Sequence, residues 1–159
     1  MKAHQQLGPG PEFDRVRGIL AALGESGGAP SGDDCALLSI GGKLLAVSTD
    51  LSVEGVHFKT EWLTYPEIGW RATAAALSDL AAEGATPLGV VVALGVPKRG
   101  TDAQVAEIMK GCGEASAEVG TKVVGGDLSS AAGWTVGVTV FGEAVRPVTR
   151  DGGRAGDLL

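Results

Sequence analysis

The sequence predicts an α+β domain, with a mixed, mainly antiparallel sheet that carries its helices on one face. Three observations support that expectation. Of 159 residues, 44% are hydrophobic and 20% charged, the balance of a chain that folds around a core. Apolar runs and stretches of helical period follow one another as strands, helix, strand, helix, strands. A Gly41-Gly42 pair between two short apolar runs signals a hairpin. Helices on one side leave the other sheet face uncovered, and a second copy of the chain is the simplest cover, so a homodimer is expected.

The elements follow in order. Residues 1–11 read as a loose Gly/Pro-rich segment. Over 12–23, Phe13, Val16, Ile19, Leu20 and Leu23 share a helical face, and Gly24 offers a stop. Residues 24–34 form a Gly/Ser/Pro loop ending in Gly32-Asp33-Asp34. Strands are expected over 35–40 and 43–48, then a mixed stretch to Phe58 with a bend at Gly55. Pro66 opens a long Ala-rich helix that runs to about Glu83 and stops at Gly84. Residues 88–96 are a Val-rich, buried strand. Thr101 caps a helix to about Glu118, ended by Gly120. A short strand over 122–124 leads into a Gly125-Gly126-Asp127 turn, and residues 134–143 alternate as a last strand. The domain thus spans 12–146. Residues 147–159 read as a linker, with the chain stopping at Leu159, two residues into what reads as a new strand.

Charge and cysteine content narrow the function. Net charge is −6, from 19 acidic and 13 basic residues, with no basic stripe, which argues against nucleic acid as a partner. Aromatics are scarce at 4%, which argues against base-stacking platforms. No run of about 18 apolar residues offers a membrane span, and the first eleven residues lack the apolar core of a secretory signal. Cys35 and Cys112 form no C-x-x-C, so neither a disulfide framework nor a zinc site is indicated, and a reducing cytoplasm is expected.

Three segments place acid beside glycine turns or strand ends: Gly32-Asp33-Asp34, Ser48-Thr49-Asp50 and Gly125-Gly126-Asp127. Asp79 lies near the end of the long helix. Carboxylates that converge on one rim repel and call for a cation. Oxygen-only ligands with a Ser/Thr hydroxyl suit Mg²⁺, and Mg²⁺ suits a polyphosphate. Glycine lets backbone approach a phosphate and makes anion-binding nests. The chain has neither a P-loop motif nor a dinucleotide fingerprint. Taken singly, each acid is as readily a turn former, a cap or a solvated helix residue, His57 a structural histidine and Arg150 a surface charge.

Together the segments resemble the thiamine-monophosphate kinases. Gly32-Asp33-Asp34-Cys35-Ala36, Ser48-Thr49-Asp50, Glu54-Gly55-Val56-His57-Phe58, Leu77-Ser78-Asp79-Leu80-Ala81-Ala82 and Val124-Gly125-Gly126-Asp127 occur in that family's order. Val148-Thr149-Arg150 and Gly156-Asp157 resemble its link into a second domain. The match covers residues 12–159.

The resemblance implies an ATP-binding α+β domain that dimerises through its sheets. It also implies Mg-dependent, direct transfer of the ATP γ-phosphoryl group to thiamine monophosphate, giving thiamine diphosphate. By position, Asp34, Ser48, Thr49, Asp50, Asp79 and Asp127 would hold Mg²⁺. Gly126, Asp127 and Arg150 would meet ATP, and His57 would touch the thiamine substrate. No residue is assigned as a covalent or general-base catalyst, because phosphoryl transfer needs positioning and charge neutralisation, and the acceptor phosphate is already deprotonated.

Two positions depart from the family pattern: Leu128 then Ser129 follow Asp127 where Thr is common, and Glu83 stands where Met is usual. Family members are about twice as long, so an N-terminal half with poor activity of its own is expected. The alternatives are another ATP-dependent member of the superfamily, of the selenophosphate synthetase or aminoimidazole-ribonucleotide synthetase kind, and a non-catalytic dimerisation or binding module.

Overall fold

The computed structural model describes residues 9–24, 33–150 and 152–157. The Gly32 turn, most of the 24–34 loop, residues 1–8 and the expected strand start at Leu159 lie outside them.

Eight elements follow in chain order: α1 (Pro11–Leu23), β1 (Ala36–Ile40), β2 (Lys43–Val53), α2 (Tyr65–Ala82), β3 (Thr86–Pro97), α3 (Asp102–Glu118), β4 (Val123–Ala131) and β5 (Thr135–Glu143). The five strands form one sheet in the order β1-β2-β5-β3-β4. Its first three pairings are antiparallel, and only β3 with β4 is parallel. This is the α+β class expected, with a mixed and mainly antiparallel sheet.

Gly41 and Gly42 make the β1–β2 turn at φ 58° and 80°. Two successive positive φ angles are what a two-residue primed hairpin turn requires and what non-glycine residues resist. At the start of α2 the Thr64 N–H donates to the Glu67 carboxylate at 2.7 Å, with Pro66 in the first turn. At the start of α3 the Thr101 hydroxyl accepts from the Gln104 N–H.

The core lies between the sheet and the α2–α3 pair. It is built from Val136, Val138 and Val140 of β5, Val90, Val92 and Leu94 of β3, and Ile68, Leu80 and Ile108 of the helices. Trp134 is fully buried at the start of β5, its ring edge-on to Tyr65 at 5.6 Å between centroids. The two helices touch backbone to backbone. A Cβ on Gly69 would sit 2.0 Å from the Ile108 carbonyl oxygen, and one on Gly111 would sit 1.9 Å from that of Pro66. The opposite sheet face carries no helix among the described residues and exposes Leu38, Ile40 and Leu51. Helix α1 forms where its apolar spacing predicts, yet none of its residues is buried.

Two expectations are corrected. Strand β2 continues past Ser48 to Val53, because β5 offers partners throughout, from Leu45↔Glu143 to Val53↔Thr135. Gly125-Gly126-Asp127 is not a turn. It lies inside β4, where the parallel ladder from Val91↔Gly125 to Pro97↔Ala131 keeps the backbone extended. Gly126 serves close strand approach there: a Cβ would fall 2.0 Å from the Val92 carbonyl oxygen.

Candidate functional site

Strand alternation sorts the predicted residues onto two faces. On β2, Ser48, Asp50 and Ser52 are level with Val140, Val138 and Val136, which face the helices. The Ser48 hydroxyl donates to the Asp79 carboxylate of α2 at 2.5 Å. Thr49 faces the other way, its hydroxyl 2.9 Å from that of Thr139. Asp127 also lies on the uncovered face, level with exposed Ala93, and its carboxylate accepts from Ser129 at 3.3 Å. It is three strands from β2 in the sheet, about 14 Å at ordinary strand spacing. The single chain therefore brings together Asp34, Ser48, Asp50 and Asp79 and holds Thr49 and Asp127 apart from them.

Arg150 closes the first group from the chain's later segment. Its guanidinium pairs with Asp34, and its N–H donates to the Asp33 carboxylate at 3.0 Å. The Val148 N–H donates to the Glu83 carbonyl at 3.0 Å, which fastens the same segment to the end of α2. Arg150 thus supplies positive charge to this acidic rim, and the contact with Asp34 holds its own pKa above the usual arginine value. Asp33, its side chain only 3% exposed, is an anchor that sequence reasoning passed over. A glycine-flanked Asp pair gives no sign of which carboxylate turns inward.

Charge crowding shows in the titration of the site. Burial pushes the Asp79 carboxyl up, and nearby Asp50 and Asp34 add to this against the Ser48 hydrogen bond and Arg150. Burial likewise pushes the Cys35 thiol up to about 12, with Glu83, Asp79, Asp34 and Asp33 contributing. Cys35 is therefore a packed thiol at neutral pH, not a nucleophile.

Glu83, the charge flagged at the end of the Leu-Ser-Asp helix, is fully buried beneath this rim. Its carboxyl lies near the Cys35 amide and the Asp33 carboxyl, with no hydrogen bond of ordinary geometry among the described residues. Burial and then Asp33 push its pKa up. A raised carboxyl contributes stability that is fully present below its ordinary pKa and lost as pH rises through the folded value. Glu83→Met is expected to stabilise the chain by about 1–3 kcal/mol, with the gain larger at pH 8 than at pH 5. Urea denaturation at the two pH values checks this; a less stable Met variant at both would refute it.

The Glu54-Gly55-Val56-His57-Phe58 segment is tightly tied. Gly55 bends at φ 82°, and its N–H donates to the Phe58 carbonyl at 2.7 Å. The Val53 N–H donates to His57 Nδ1 at 3.1 Å, which places the imidazole proton on Nε2. The Glu54 carboxylate accepts from the Trp134 N–H at 3.0 Å and pairs with Arg99. Against the opposing effect of burial, these contacts hold its carboxyl below the usual carboxylate range.

Residues 32–144 match the N-terminal domain of AIR synthase related protein. The chain belongs to that family. Within it, the chain is 38% identical to a thiamine-monophosphate kinase of Mycobacterium tuberculosis over 98% of its own length and 47% of the relative's. It is 38% identical to one from Synechococcus elongatus, over 88% and 47%. The solved structure of AaThiL complexed with AMPPCP and TMP superposes with a TM-score of 0.83 at 31% identity, over 92% of this chain and 46% of that one. As an AIR synthase related domain, the chain spans about half the length of the curated relatives it matches. The resemblance to thiamine-monophosphate kinases read from the motifs is met by these relatives.

Proposed function

We propose that this chain is the metal- and nucleotide-binding N-terminal half of an enzyme that phosphorylates thiamine monophosphate with ATP, giving thiamine diphosphate. The observation that carries the reading is the juxtaposition of Asp34, Ser48, Asp50 and Asp79 on one face, with Arg150 closing over them. The matched relatives bear the kinase name, and a similar solved chain holds AMPPCP and TMP.

The donor set suits Mg²⁺ in kind, being oxygen-only and rich in carboxylates that repel one another. No three acid, His or Cys groups form a ready cage among the described residues. Mg²⁺ commonly takes one or two carboxylates and completes its shell with phosphate oxygens and water. Asp34, Asp50 and Asp79 would supply those carboxylates, divided among more than one Mg²⁺, with Ser48 orienting Asp79. Mg²⁺, when bound, offsets the charge of two phosphate groups brought together. Arg150 and the Gly126–Asp127 backbone would meet the nucleotide, and His57 would present Nε2–H to the thiamine substrate. Thr49 and Asp127 would act on the uncovered sheet face, which we propose pairs with a second copy. No helix is long and apolar enough to cross a membrane among the described residues. The buried thiols of Cys35 and Cys112 fit the reducing cytoplasm proposed for the protein.

Calorimetric titration with a non-hydrolysable ATP analogue is expected to show weak binding that disappears with EDTA. Thiamine diphosphate formation by the chain alone is expected to be slow, since relatives are twice as long. Nucleotide binding that ignores Mg²⁺, or no binding at all, would overturn the assignment.

A further inference from the structure

Glu54 stands where three segments of the chain meet. Its N–H donates to the Trp134 carbonyl at 2.9 Å, and each oxygen of its carboxylate has a donor of its own. One accepts from the Trp134 N–H at 3.0 Å; the other pairs with Arg99 and accepts from the Thr60 hydroxyl at 3.4 Å. The side chain is only 16% exposed, whereas a glutamate that serves solubility alone faces water.

What grips Glu54 is rigid. Trp134 is buried in the core, and Gly100, beside Arg99, lies so close to its indole that a Cβ would come within 2.9 Å of the ring. The Gly100 N–H also donates to the Pro97 carbonyl at 2.7 Å. Phe58, at the far end of the turn, is buried as well. Between these two fixed ends the chain folds over. The Val56 and His57 N–H groups both donate to the Val53 carbonyl, at 3.1 and 2.9 Å, and the exposed His57 ring takes the Val53 N–H on Nδ1. The direction of the imidazole therefore depends on where Val53 and Glu54 are held.

We propose that Glu54 is a positioning residue, clamped by Trp134 and Arg99, that fixes the His57 imidazole with Nε2–H outward. Resting on the kinase reading above, in which His57 meets the thiamine substrate, Glu54 and Arg99 control affinity for the phosphate acceptor through His57. An amide cannot take the place of this carboxylate. Whichever way it turns, its NH₂ faces either the Trp134 N–H or the Arg99 guanidinium, and both are donors.

NMR of the intact chain with ¹⁵N-labelled histidine reads the tautomer at pH 8, where an ordinary imidazole is neutral. The His57 signal is assigned by its loss in His57→Gln. Wild type is expected to show a single Nε2–H species, and Glu54→Gln a mixture of both tautomers. By calorimetry Glu54→Gln should weaken thiamine monophosphate binding about tenfold, the scale of one hydrogen bond to a charged group. Arg99→Met should weaken it about threefold, as suits an exposed ion pair, and Arg99→Lys should restore it. The double variant should bind no more weakly than Glu54→Gln alone, since Arg99 acts through Glu54. Mg-nucleotide affinity should stay unchanged in every variant; a parallel fall would show a general loss of structure and overturn the proposal. Unchanged tautomer and acceptor affinity in both Glu54→Gln and Arg99→Met would overturn it too, and so would weaker acceptor binding with the tautomer intact. If the tautomer shifts as expected but thiamine monophosphate binds not even to wild type, the positioning role stands and the substrate reading falls.

Discussion

Asp79→Asn is expected to lower Mg-dependent nucleotide affinity on the order of 100-fold while raising the melting temperature of the unliganded chain. The affinity loss follows from removing a carboxylate charge at the proposed cation site, where even outer-shell changes register at 10- to 100-fold. The stability gain follows from the crowding of the rim: Asp79 is desolvated, with Asp50 and Asp34 near enough to raise its pKa. Asn is close in shape and keeps an acceptor for the Ser48 hydroxyl 2.5 Å away. The pH dependence has a fixed sign. A raised Asp contributes stability that is complete below its ordinary pKa and is lost as pH rises through the folded value. The Asn variant should therefore match wild type in acid and exceed it increasingly toward neutral pH. Calorimetric titration and thermal melts across that range measure both halves. Retained nucleotide affinity would remove Asp79 from the metal site. A lower melting temperature at neutral pH would show that Asp79 makes a net favourable contact in the unliganded fold.

Gly111→Ala is expected to cost about 3 kcal/mol of folding stability, at the upper end of ordinary overpacking. In a 159-residue chain that is a fall of roughly 6–12 °C in melting temperature. Helix propensity alone predicts the reverse, since Ala gains up to about 1 kcal/mol over Gly in a helix interior. Packing decides the sign here. The added methyl would lie 1.9 Å from the Pro66 carbonyl oxygen and 2.9 Å from the Trp70 nitrogen, both backbone atoms that no rotamer can move. α2 and α3 would have to separate, opening the core around Ile68, Ile108 and Cys112. Gly113, two residues on in the same helix, meets nothing within 4 Å. Gly113→Ala is thus the internal control, expected to be neutral or stabilising. Thermal melts of the two variants decide it, and equal effects would refute the backbone-contact account. The consequence reaches function, because α2 carries Asp79 and its tilt sets the distance to Ser48.

Much of the fold is legible in the sequence because local rules agree. Thr64-x-x-Glu67 with Pro66, Thr101-x-x-Gln104 and the Gly41-Gly42 hairpin each specify an element boundary through backbone hydrogen bonding within a few residues. The two extents misread, β2 beyond Ser48 and β4 through Gly125-Gly126-Asp127, share one cause. Glycine and acid are poor strand formers by themselves, and only a long-range partner, β5 or β3, makes them extended. Burial of Glu83 and Asp33 was likewise hidden, since inward and outward carboxylates have the same local pattern.

The order and chemistry of the acidic motifs were determined by the sequence alone, because residue type and spacing define a ligand set without coordinates. Their division was decided by tertiary structure. Strand alternation turns Ser48 and Asp50 toward α2 and Thr49 away from it, and three strand spacings separate Asp127 from both. Which carboxylates can share one cation depends on pairing between segments as far apart as residues 50 and 138, and that pairing is set by how the whole core buries its apolar surface.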